Sequence, residues 1–161
     1  MARVGFAFDK KGFDKLVENL SPESRKPVVR EAIQTGAIIV RDKIRDKYRG
    51  IKPDSKLDKA IVAHIYPSGE GAVVRRFYVK GGTARNYSSD SPMLRAYILN
   101  FIEQGATDRQ LKGRGKYPRG TYRGSIPAYK FFRKGMNAGK RRAIKEIERI
   151  LLDKLSKQAN R

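Results

Sequence analysis

Between Val28 and Tyr48 the apolar and small residues fall on one stripe: Val28, Val29, Ala32, Ile33, Gly36, Ala37, Val40, Ile44 and Tyr48. Spacings of three and four place them on a single helical face for about five turns. Gly36 lies on that stripe, with Ala32, Ala37 and Val40 close by. Small residues on a buried face mark close backbone approach, and another helix of the same subunit crossing there is the simplest reading. The helix is expected over 24–48, stopped by Gly50 and Pro53.

The other elements follow from shorter patterns. Phe13, Leu16, Val17 and Leu20 give a short helix over 9–20, with Asp9 as N-cap and Ser21-Pro22 as its end. Ile61 to Tyr66 and Ala72 to Val79 are β-rich runs around the turn Pro67-Ser68-Gly69-Glu70-Gly71, which predicts a hairpin over 61–80. Neither face of its second run is cleanly apolar. Ser91-Pro92 opens a segment with Leu94, Tyr97, Ile98, Phe101 and Ile102 at helical spacing and Gly105 as a stop. A short helix over 92–104 is expected, with a strand as the alternative. Residues 105–127 hold five Gly and two Pro and read as a long loop. Ile144, Ile147, Leu151 and Leu155, widened by Ile150 and Leu152, predict a helix over 137–156. The whole, 1–161, reads as one α+β domain: a long N-terminal and a C-terminal helix packed on a small antiparallel hairpin, with a long basic loop.

Charge narrows the function. The chain has 37 Lys and Arg against 16 Asp and Glu, a formal charge of +21. Seven basic residues against one acid in 105–132, and ten against three in 133–161, put 13 of those 21 charges in the last 57 residues. A field of that size attracts polyanions, nucleic acid first among them. Without Cys and with His64 alone, thiol nucleophiles, Cys-ligated zinc and most His-based sites drop out. Met1 to Lys15 has no uncharged core of a signal peptide, and no apolar run approaches a membrane span. Gly135-Met136-Asn137-Ala138-Gly139-Lys140 misses the phosphate-loop pattern: three residues separate its glycines and Arg141 follows the Lys. Asp54, Asp58 and Glu103 are too scattered for a nuclease site. Catalytic, metal and cofactor sites are therefore expected to be absent.

Two stretches remain as candidates. Lys116-Tyr117-Pro118-Arg119-Gly120-Thr121-Tyr122-Arg123 interleaves cations with aromatics, a pattern suited to phosphate contact and stacking. With Arg109, Lys112 and Arg114 it forms a contact segment for nucleic acid or a neighbouring subunit, with no signature of sequence readout. Glu103 closes the 92–104 helix, where an acid opposes the helix dipole. A compensating partner is expected, a structural salt bridge within or between subunits first, or a backbone amide in the next turn.

The run Ala96-Tyr97-Ile98-Leu99-Asn100-Phe101-Ile102-Glu103-Gln104-Gly105-Ala106-Thr107, followed after the basic loop by Ile126-Pro127-Ala128-Tyr129-Lys130-Phe131-Phe132-Arg133-Lys134-Gly135, resembles the tail-completion and head–tail joining (neck) proteins of long-tailed bacteriophages. These include the Hong Kong-type tail components and the lambda-type minor tail protein Z. Phe13-Asp14-Lys15-Leu16 and the 24–48 and 137–156 helices occupy matching places in the order. The resemblance implies structural roles for Tyr97, Phe101, Glu103, Gly105, Pro127, Phe131 and Phe132. It also implies a virion location and a homo-oligomeric ring, a hexamer in preference to a dodecamer. That ring would sit among connector and tail-tube proteins, with double-stranded DNA in its lumen and no membrane. A free nucleic-acid-binding protein of nucleoid or RNA-chaperone type is the alternative, and a small nuclease rests only on basic charge and scattered acids.

Overall fold

The computed structural model describes residues 10–53, 56–66, 71–76, 92–106 and 124–160. Its elements are α1 (Lys10–Glu18), α2 (Pro22–Arg49), a 3₁₀ turn (Lys56–Ala60), β1 (Ile61–Ile65), β2 (Ala72–Arg76), α3 (Pro92–Gln104) and α4 (Phe131–Ala159). Helices beside a small antiparallel sheet make this an α+β fold.

The expected stripe is the buried face of α2: all nine of its residues are buried. Its partner is α4, which runs antiparallel to it. Tyr48 meets Phe131, with ring centroids 5.2 Å apart. One turn back along α2, Ile44 faces Gly135, where an added Cβ would lie 2.5 Å from the Ile44 Cα. A turn further, Val40 faces Gly139, with 3.2 Å from such a Cβ to the Val40 Cα. Then Gly36 faces Ala143 and Ile147. Each step of four along one helix thus meets a step of four along the other, and glycines on both sides bring the backbones together. The crossing expected from Gly36 is present and is made by α4.

α4 begins at Phe131, well ahead of the expected Asn137. Gly135, ahead of the expected start, and Gly139, inside the expected helix, are both interior residues of α4. Their low helix propensity, about 1 kcal/mol each relative to Ala, is offset by a close backbone approach that a Cβ would block at Gly135 and crowd at Gly139. α2 begins at Pro22, not near Ser24. Proline in a first helical turn loses no hydrogen bond, and the amides of Ser24 and Arg25 donate to the Ser21 carbonyl at 3.1 and 2.9 Å. At this end of the pair the Ser21 amide donates to Gln158 Oε1 at 3.4 Å, and Gln158 Nε2 donates back to the hydroxyls of Ser21 (3.2 Å) and Ser24.

The core forms two connected regions along the α2–α4 seam. One gathers Val40, Ile44, Tyr48, Ile61, Val74, Leu99, Ile102, Phe131 and Phe132. The other gathers Leu20, Val28, Val29, Ile33, Ile147, Ile150 and Leu151, with Phe13, Leu16 and Val17 of α1 against it. β1 and β2 pair in register from Ile61 opposite Arg76 to Ile65 opposite Ala72. Alternation puts Ile61, Ala63, Ala72 and Val74 on the face toward the core, while His64 on the other face is exposed. Arg49 fastens the 3₁₀ turn to α2 through Nε and Nη2, both donating to Asp58 Oδ2 (3.0 and 2.7 Å), and Arg45 Nη2 donates to the Ile61 carbonyl at 2.8 Å. The hairpin's expected extension over 77–80 lies outside the described residues. Residues 92–104 are a helix, and the strand alternative is set aside. No helix among the described residues is long and apolar enough to cross a membrane.

Candidate functional site

The two stretches singled out by the sequence meet where the end of α3 abuts the start of α4. α3 ends with orphan carbonyls and α4 begins with orphan amides, as every helix does. The segment entering α4 joins the two sets. Gly105 donates to the Phe101 carbonyl at 2.7 Å, Tyr129 to that of Ile102 at 3.1 Å, and Lys130 to that of Glu103 at 3.2 Å. In the opposite sense, the buried Glu103 carboxylate accepts the Phe132 amide through Oε2 at 2.9 Å.

Glu103 thereby caps a helix to which it does not belong. α4 has no side-chain cap of its own: its N-cap position is Lys130, in the left-handed region at φ 51°. Its first turn has no acid. The carboxylate supplies both an acceptor and a negative charge at the positive end of the α4 dipole. The same charge is unfavourable for α3, which explains an acid at that helix's C-terminus. Of the two expected partners, the one found among the described residues is a backbone amide, reached across 29 residues of sequence rather than in the next turn.

Beyond Gly105 the chain is stitched a second time. Ala106 and Ile126 form an antiparallel bridge, exchanging N–H···O bonds of 2.9 and 2.8 Å. Gly105 is obligatory on two counts. Its φ is +76°, and a Cβ there would lie 2.8 Å from the Ile126 carbonyl oxygen and 2.9 Å from the Ala128 nitrogen. Phe131 and Phe132 are buried beneath this clasp with centroids 5.1 Å apart, Phe101 is half-buried, and Pro127 is exposed. Tyr97 lies on α3. The expected contact residues Arg109, Lys112, Arg114, Lys116, Tyr117, Arg119, Tyr122 and Arg123 lie outside the described residues; what the structure provides is the foot from which their segment springs.

A second feature stands behind the surplus of ten cations over three acids already noted in 133–161. The first half of α4 carries Arg133, Lys134, Lys140, Arg141, Arg142 and Lys145 with no acid, and all six are exposed. None of them forms an ion pair among the described residues. In the second half every cation is paired: Arg149 with Glu146 at 2.6 Å, Lys157 with Asp153 at 2.8 Å, and Lys154 with Glu31 of α2 at 3.4 Å. The signal was present in the order of charges, six cations before the first acid at Glu146, but only a helix start at Phe131 puts them on one element.

Among the described residues no three of His, Cys, Asp and Glu come together as a metal site. Comparison with protein-family models, with curated proteins and with solved structures gives no match.

Proposed function

We propose that the protein is a non-enzymatic structural component of a tailed-bacteriophage particle. In this reading it forms a ring at the neck or tail end, around the DNA channel. The observation that carries this reading is the clasp. The two pieces on which the resemblance to neck and tail-completion proteins rests are separated by a long basic segment, and they fold against each other through Glu103, Gly105, Ala106, Ile126 and Phe132. A foot closed in this way supports a role in which residues 107–123 reach a neighbouring subunit or the DNA. High positive charge suits a channel wall, because counterion release at phosphates offsets the repulsion between protomers.

Electron microscopy of the purified chain tests the reading. A ring with a central hole is expected, and a species that stays monomeric at all concentrations and never enters particles overturns it. A free nucleic-acid-binding protein is the second reading, favoured by the six α4 cations that form no ion pair among the described residues. Tight duplex binding by an isolated monomer that forms no rings would select it.

A further inference from the structure

The charges of α4 are divided in a way that folding does not require. In its second half every cation has a carboxylate partner, two on α4 itself and one, Glu31, on α2. Its first half leaves six cations exposed and without ion pairs among the described residues, and two of them, Arg133 and Lys134, sit in the first turn, where positive charge opposes the dipole. Such an arrangement costs stability and is explained by a partner that supplies the missing negative charge.

The geometry of the row narrows the partner. Lys134, Arg141 and Lys145 recur at spacings of seven and four and so share the outward face, opposite the stripe of Gly135, Gly139 and Ala143 that meets α2. From Lys134 to Lys145 the row spans about 17 Å, the length of about five base pairs at roughly 3.4 Å each. Between the cations sit Asn137 and Ala138, and Arg133, Lys140 and Arg142 flank them. The row holds no large apolar side chain of the kind that anchors protein interfaces. A one-sided row of charge without an apolar anchor matches a phosphate backbone better than an acidic protein surface.

We propose that the first half of α4 is a docking surface for the phosphate backbone of double-stranded DNA, engaged without regard to base sequence. The inference rests on the reading that duplex DNA is the chain's partner, and adds the element that meets it: a rigid helix face, distinct from the 107–123 segment.

The test is fluorescence anisotropy of a labelled 30-bp duplex titrated with the full chain across a series of NaCl concentrations. The triple variant Lys134→Gln, Arg141→Gln, Lys145→Gln is compared with Arg149→Gln, Lys154→Gln, Lys157→Gln, which removes the same charge from the paired half. Each lost phosphate contact flattens the log–log salt slope by about 0.9. The first triple is expected to flatten it by about two to three and the second to leave it nearly unchanged. Equal flattening by both triples, or none by the first, overturns the proposal. So does competition by polyglutamate of matched charge that equals competition by unlabelled duplex. If the first triple loses helix content by circular dichroism, Arg141→Gln alone carries the test, with an expected flattening of about one. Microscopy of the same samples separates the two readings. Rings with an unchanged slope remove the α4 surface and keep the ring. A flattened slope in a chain that never forms rings keeps the surface and removes the ring.

Discussion

Glu103 accepts one hydrogen bond and supplies one negative charge, and substitution separates the two. Glu103→Gln retains a carbonyl oxygen for the Phe132 amide but removes the charge from the α4 N-terminus. It is expected to cost about 1 kcal/mol in a denaturant titration. Glu103→Ala also strands a buried amide and is expected to cost about 2–3 kcal/mol. A wild-type midpoint for both would show that the cap carries no stability. The sequence indicated that this acid needed compensation, because an acid at a helix C-terminus opposes the dipole. It did not indicate the partner, since the amide belongs to Phe132 and no local pattern links positions 103 and 132. Gly105 was legible as a helix stop, whereas its close approach to the Ile126 carbonyl is a tertiary fact.

At the scale of elements, α2 was legible because its stripe keeps one period from Val28 to Tyr48. The start of α4 was not, because Gly135 lowers helix propensity ahead of Asn137 and only the seam with α2 gives it a reason. That seam ranks glycine substitutions. Gly135→Ala would set a Cβ against the backbone of Ile44, which has no room to yield, and is expected to cost about 3 kcal/mol. Gly36→Ala meets Cδ1 and Cγ1 of the buried Ile147 side chain but no backbone atom closer than 3.6 Å, and is expected to cost less. Gly50→Ala, with only ordinary contacts beyond 3.5 Å, is expected to be neutral or slightly stabilising. Thermal melts of the three variants check the order, and equal melting points would contradict it. The paired half of α4 has its own signature. The hydrogen bond from Arg149 holds the Glu146 carboxyl below the usual carboxylate range, and that from Lys157 does the same for Asp153. Both folded values are depressed, so the stability they add is present above the unfolded value near ~4 and is lost as pH falls through the folded one. The wild type is therefore expected to lose more thermal stability between pH 6 and pH 3 than a Glu146→Gln, Asp153→Asn variant. Both carboxylates are partly exposed, so the difference is expected to shrink in high salt.

For the whole molecule, the decisive arrangement is that one two-helix seam carries the core while the charged parts are hung from it. A charge of +21 works against compaction, and the long contact between α2 and α4 is what holds against it. The clasp makes residues 107–123 separable from that core. Deleting 108–124, with Asn-Gly set in place of the remaining Thr107-Ser125, joins Ala106 to Ile126 through a two-residue turn, and that pair already exchanges both hydrogen bonds of an antiparallel bridge. The deletion is expected to retain wild-type helix content by circular dichroism and to lose ring assembly or head–tail joining. Unfolding would show that the foot does not stand without its segment, and normal infectious particles would deny the segment its role. The stitched foot has a converse. Once Ala106 and Ile126 are fixed, each doubling of the length between them costs only about 0.6 kcal/mol in closure entropy. The position is thus a permissive socket, where foreign sequence such as an epitope or a protease site fits without the scaffold registering its presence.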